Sequence, residues 1–145
     1  MVVRFRSAAP EETSMSLSTA GTKKQGDVGV GRAIAYFTGL GYSVSVPLTE
    51  SQRYDLVVDD ESRLYRVEVK TTRHRRNEKS SYIVLLSTQG GNRTWSGKKR
   101  AFSMDDADLV FVSTDGGNNY LFPSDLLDGK SNLSLTSKLD RYIVS

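Results

Sequence analysis

The sequence predicts an α/β domain, and three observations carry that prediction. A stretch with helical apolar spacing comes first, several short apolar runs with strand character follow it, and turn residues separate the runs. The 145 residues suit one domain with a core that needs no metal or disulfide staple. There is no cysteine and one histidine, His74, which excludes disulfides, thiolate zinc sites and multi-histidine sites. No apolar run approaches the ~20 residues that cross a bilayer, and residues 1–20 lack the apolar centre of a signal peptide. The expectation is no membrane partner and an intracellular, cytoplasmic location.

Residues 1–22 are expected to form a disordered leader, because residues 7–22 are rich in Ser, Thr, Ala and Glu without sustained periodicity. The domain is expected over 23–145. From Gly26 onward, Val30, Ala33, Ile34, Phe37 and Leu40 recur at helical spacing, and Gly39 and Gly41 bracket the stop. Asp27 falls near the start of this helix, where a carboxylate caps free amides. Residues 42–46 alternate and end at Pro47, as a strand does on running into a turn. Residues 54–58 and 64–70 are the next strands, and the polar turn at 59–62 predicts that they pair as an antiparallel hairpin. Residues 82–86 read as a strand, followed by a loop over 87–103 that holds Trp95. Strands at 109–112 and 120–122 flank a Gly-Gly-Asn-Asn turn. Pro123 opens a short helical turn through Leu127, and residues 139–144 are expected to close the domain as a strand.

The chemistry concentrates on the hairpin. Side chains alternate along a strand, so Glu68 and Lys70 share one face, ~7 Å apart along the chain, while Val67 and Val69 take the other. Asp55 sits on the preceding strand. Two carboxylates and an ammonium can therefore converge at one sheet edge, to hold a hard divalent cation and present a positive group to water or phosphate. By itself the pattern is weak, since half-exposed strands commonly pair charges across a hairpin.

The net charge of +3 is modest but unevenly spread. Residues 63–100 hold 11 Lys and Arg against Glu68 and Glu78, leaving 9 bases against 15 acids in the rest of the chain. A basic block of this kind suits a polyanion such as a nucleic-acid backbone, or else forms a solvated basic face. Arg73-His74-Arg75-Arg76 directly follows the Glu-x-Lys strand, where it is placed to grip phosphates or to form a soluble turn. His74 is read as a phosphate contact or an exposed residue. Trp95, beside Lys98-Lys99-Arg100, either stacks on a base or anchors its loop to the core. Asp105, Asp106 and Asp108 need no role beyond a polar approach to the following strand.

The order helix, strand, Asp-bearing strand, Glu-x-Lys strand resembles the PD-(D/E)xK nuclease superfamily. Gly26-Asp27-Val28-Gly29, residues 33–42, Arg53-Tyr54-Asp55-Leu56-Val57, residues 65–72 and Tyr120-Leu121-Phe122-Pro123 are similar to its small single-domain branch, over roughly residues 23–144. That branch includes a cyanobacterial group I intron homing endonuclease and archaeal and viral relatives. The resemblance implies a restriction-endonuclease-like α/β core, a mixed sheet flanked by helices, and a metal-dependent endonuclease that hydrolyses DNA phosphodiester bonds. It implies Asp55 and Glu68 as ligands of Mg2+, with Mn2+ as the alternative, and Lys70 as the residue that positions water or phosphate. Thr72, on the Glu68 face, is expected to line the cleft. Arg73, Arg75, Arg76, Lys79, Lys98, Lys99 and Arg100 are expected to bind nucleic acid. One domain offers one cleft, so cutting both strands implies a homodimer or higher oligomer. One position departs from the pattern: many relatives carry a glutamate in the first helix, in a Gly-Asp-x-Gly-Glu context, where this chain has Val30. Asp27, one turn earlier, is a candidate substitute beside its capping role. Two further readings stay open, a junction-resolving or repair nuclease and a nucleic-acid-binding module weakened in catalysis by Val30.

Overall fold

A computed structural model describes residues 21–89 and 99–145. Its helix, α1 (Thr22–Gly39), buries Gln25, Gly29, Ala33 and Phe37, a stripe that recurs every fourth residue. The helix starts at Thr22 rather than at Gly26, because an interior glycine costs only about 1 kcal/mol, which burial of the stripe offsets. The residue ahead of it, Gly21, makes no side-chain cap. Asp27 is therefore an exposed residue inside the helix and not a cap. Gly29 is where the helix lies closest to the sheet: a Cβ there would collide with Thr71 Cγ2 and come within 3.3 Å of Val69 Cγ1. Past the helix, Gly41 takes a φ of 85°, the left-handed conformation that ends helices.

Among the described residues ten strands follow in chain order: β1 (Ser43–Ser45), β2 (Leu56–Asp59), β3 (Leu64–Thr72), β4 (Ile83–Leu85), β5 (Thr88–Gln89), β6 (Lys99–Arg100), β7 (Leu109–Thr114), β8 (Asn119–Pro123), β9 (Asn132–Ser134) and β10 (Ile143–Val144). Six of them form one sheet in the order β1-β2-β3-β7-β8-β10. β3 and β7 run parallel, and the other neighbours are antiparallel, so the sheet is mixed. β2 and β3 form the expected hairpin, with Leu56 opposite Val67 and Asp59 opposite Leu64.

Alternation divides the core between the two faces of this sheet. Leu56, Val58, Val67 and Phe111 meet Ala33 and Phe37 of α1 on one face. Val110, Val112 and Phe122 meet Val84, Leu86 and Phe102 on the other. Glu68, Lys70 and Thr72 fall on this second face, because β3 pairs Glu68 with Val110 and Lys70 with Val112. The helix thus covers the face opposite the Glu-x-Lys pair.

Several expectations change in detail. The 82–86 run yields β4, which leaves the main sheet and pairs with β9 in a separate ribbon. The ends of the 87–103 loop pair as β5 and β6. Trp95 and Lys98 lie outside the described residues, as does the expected leader except Gly21 and Thr22. The closing strand is mostly a 3-10 helix, Ser137–Tyr142, and only β10 extends. Three residues per turn place Leu139 and Tyr142 on the same side, and both pack against the second core cluster, Tyr142 with its ring 5.1 Å from that of Phe122. Among the described residues no helix is long and apolar enough to cross a membrane.

Candidate active site

Asp55, Glu68 and Lys70 meet where β2 begins beside β3, with Asp55 in the bend just before the strand rather than in it. Asp55 immediately precedes Leu56, the first residue of β2, which pairs with Val67, so it lies beside the Val67–Val69 stretch of β3. The Asp55 N–H donates to the Val67 carbonyl at 2.9 Å, and the Val69 N–H donates to Asp55 Oδ2 at 2.7 Å. The carboxylate has taken the edge amide that a continuing β2 would have paired, and that bond fixes it against β3. Glu68 is 5 % exposed, and its Oε1 accepts from Lys70 Nζ at 2.7 Å.

The electrostatics of the two carboxylates agree with this placement. Burial pushes the Asp55 carboxyl above its ordinary range, and neither the Val69 hydrogen bond nor the charge of Lys70 fully offsets it. Burial likewise pushes Glu68 up. The charge and hydrogen bond of Lys70 act against that, while the charges of Asp55 and Asp106 add to it. One ammonium is shared between carboxylates that are desolvated and mutually repelling, so the cluster holds negative charge that the fold does not neutralise.

Such a donor set fits a small hard cation. Among the described residues no group of three or more His, Cys, Asp and Glu side chains is arranged to hold a metal, and the candidate donors of the cluster are the two carboxylates of Asp55 and Glu68. Two suffice for Mg2+, which keeps several of its waters and takes the remaining oxygens from substrate. Val30 contributes nothing polar: it is half-buried against the apolar cluster under α1. Asp27, exposed on the helix, makes no described contact with Asp55 or Glu68.

The surrounding bases divide by exposure. Thr72, expected to line the cleft, is instead 5 % exposed. Its hydroxyl donates to the Ile83 carbonyl at 2.6 Å and accepts from the His74 N–H at 3.1 Å, so it fastens β3 to β4 and presents nothing to a polyanion. Arg73, His74, Arg75, Arg76 and Lys79 are exposed beyond the end of β3. Arg75 is partly committed, its guanidinium 4.7 Å from the Tyr82 ring and bonded to the Glu78 carbonyl. Lys99 and Arg100 are exposed on β6.

Sequence reasoning missed two residues of this neighbourhood. Asp106 Oδ1 lies 3.2 Å from Arg100 Nη2 and 3.7 Å from Arg53 Nε. The only local signal was that Arg53 stands two positions before Asp55; the link from Arg53 to Asp106 spans about a third of the chain and leaves no periodicity. Asp108, by contrast, is structural: it accepts from the Arg66 backbone N–H at 2.8 Å and pairs with the Arg66 guanidinium at 3.3 Å.

The fold matches that of a bacterial homing endonuclease, I-Ssp6803I, with a TM-score of 0.72 at 24% sequence identity, covering 86% of this chain and 89% of that one. A weaker match, with a TM-score of 0.44 at 15% identity, is to MepB, covering 79% of this chain and 95% of that one. No curated protein matches the chain. The PD-(D/E)XK endonuclease family matches residues 20–140, a span that takes in α1, the Asp55, Glu68 and Lys70 cluster and every strand but β10, and the chain belongs to that family.

Proposed function

We propose that this protein is a divalent-metal-dependent endonuclease that hydrolyses phosphodiester bonds in DNA. The observation that carries the reading is the convergence of Asp55, Glu68 and Lys70 at β3, where the Val69 N–H bonds Asp55 Oδ2, Lys70 bonds Glu68, and burial raises both carboxyls. Asp55 and Glu68 are the ligands for Mg2+, or for Mn2+ in its place. When bound there, the cation supplies positive charge to a phosphate oxygen and acidifies its own water. Lys70, held by Glu68 at 2.7 Å, orients the attacking water or stabilises the charge that develops on the phosphate. The exposed bases Arg73, Arg76, Lys79, Lys99 and Arg100, with Lys98 beside them in sequence, bind the DNA backbone. One cluster cuts one strand, so double-strand cleavage requires a dimer or larger homo-oligomer.

The homing endonuclease shares the fold at an identity that leaves the substrate of this chain to experiment. Val30 favours a second reading: a DNA-binding module that retains the fold without turnover, because the helix adds no acid to the cluster. Incubation of supercoiled plasmid with Mg2+ or Mn2+ separates the two. Nicking by the wild type that is lost in Asp55→Ala and Lys70→Ala supports the nuclease. Salt-sensitive binding without cleavage of plasmid or of a synthetic four-way junction in either metal supports the binding module.

A further inference from the structure

The bases expected to hold DNA lie mainly past the end of β3, yet the structure assembles another cationic group on the acidic side of the site. Asp106 ties Arg100, six residues before it, to Arg53, which is distant in sequence. Its Oδ1 faces Arg100 Nη2 of β6 at 3.2 Å and Arg53 Nε at 3.7 Å, and Arg53 precedes Asp55 by two residues. The carboxylate itself is only 13% exposed, whereas the arginine side chains are 45% and 42% exposed. A mostly buried anion that holds two half-exposed guanidiniums is an arrangement for presenting cations. It fixes the orientation of side chains that otherwise lose rotamer freedom on binding. Its proximity to Glu68 is registered by the charge of Asp106, which acts on the Glu68 carboxyl.

We propose that Asp106 is a positioning residue that presents Arg53 and Arg100 to a phosphate of the nucleic-acid backbone beside the Asp55–Glu68 cluster. Arg53 is then a substrate-contacting residue in its own right. Guanidinium N–H groups directed away from Asp106 match phosphate oxygens in geometry and charge. The arrangement also opposes the accumulation of like charge when a phosphate approaches two carboxylates. This inference rests on the nucleic-acid reading of the site, but it concerns binding and is independent of turnover.

The sign of one substitution separates positioning from bulk electrostatics. Asp106→Asn removes a negative charge, which by net charge alone tightens binding to a polyanion. If Asp106 positions the arginines, the same substitution weakens binding. The measurement is fluorescence anisotropy of a short labelled DNA duplex without divalent metal, repeated over a salt series, with circular dichroism and thermal melting to establish that each variant is folded. Arg53→Ala is expected to lower affinity roughly tenfold and to reduce the slope of log K against log salt by about one. Asp106→Asn is expected to shift affinity and slope in the same direction, and Asp106→Asn combined with Arg53→Ala to add little to Arg53→Ala alone. Should Asp106→Asn misfold, Asp106→Glu, which keeps the anion at a longer reach, is expected to bind more nearly like wild type than Arg53→Ala does. Tighter or unchanged binding by folded Asp106→Asn, an unchanged slope in Arg53→Ala, or no binding by the wild type overturns the proposal. Plasmid cleavage by the same wild-type preparation reports separately on the nuclease reading, so either can fail without the other.

Discussion

Glu68 and Arg66 are neighbours on β3, and the carboxylates around them are held in opposite electrostatic states. At Arg66 the partner is Asp108, which accepts the backbone N–H at 2.8 Å, pairs with Arg66 Nε and Nη2 at 3.3 Å and lies 3.8 Å from Arg63. Burial pushes the Asp108 carboxyl up, but the hydrogen bonds and charge of Arg66, with the charge of Arg63, outweigh it and hold the group below its ordinary range. Two residues further on, Glu68 and Asp55 share Lys70 and are pushed up by burial that nothing fully offsets. The fold neutralises the Asp108 carboxylate and leaves the candidate pair, Asp55 and Glu68, short of positive charge. A cation bound beside such a pair would be stabilised by it, which is the basis of the proposed site.

The comparison is broken most easily through activity. Glu68→Ala is expected to lower plasmid cleavage by about a hundredfold or more, on the scale of losing a main stabilising contact to a developing charge. Asp108→Asn is expected to leave the cleavage rate per folded molecule within about threefold, since Asp108 is committed to Arg66 and Arg63. Equal losses in the two variants would mean that the division between them is wrong.

Stability should respond the other way round. Asp108→Ala leaves the Arg66 backbone N–H without its partner and the guanidinium with only the Asp105 carbonyl, and is expected to cost about 1–3 kcal/mol in chemical denaturation. Asp55→Asn and Glu68→Gln relieve desolvated charge and are expected to be neutral or mildly stabilising without metal, despite the lost attraction to Lys70.

The pH dependence gives a smaller and sharper test. Asp108 has a folded-state pKa below its unfolded value, so its contribution is present above the unfolded pKa and is lost as pH falls through the folded one. The destabilisation in Asp108→Asn should therefore shrink in acid. Asp55 and Glu68 are raised in the folded state, so their contribution is present below the unfolded pKa and is lost as pH rises through the folded one. The relative gain in Glu68→Gln should accordingly grow from acid to neutral pH. Melting curves of the three proteins across that range would reveal either trend, and parallel curves would remove the distinction.

What the sequence made legible was what local periodicity encodes. The alternation of Val67, Glu68, Val69 and Lys70 assigns faces without any tertiary information, and the 59–62 turn brings Asp55 to Glu68. The sequence was silent where the partner is distant. Nothing in Asn132–Ser134 announces that it pairs with Ile83–Leu85. Thr72 shares the Glu68 face as alternation requires, but whether it meets solvent depends on β4, which covers it through the Ile83 carbonyl. Residues 139–144 were expected to be extended, but Leu139 and Tyr142 also satisfy a three-residue period, and packing on Phe122 accompanies the 3-10 form. The helix start was misplaced because Gly26 looks like a boundary, whereas its small cost is outweighed by the stripe that begins at Gln25.

The most direct test of the central claim, that Asp55 and Glu68 form a cation site the fold leaves short of charge, is calorimetric titration of Mg2+ and Mn2+ into the wild type, Asp55→Ala and Asp108→Asn. The account predicts saturable binding by the wild type and Asp108→Asn that is lost in Asp55→Ala. Binding that survives Asp55→Ala unchanged, or that is absent from the wild type with both metals, would contradict it.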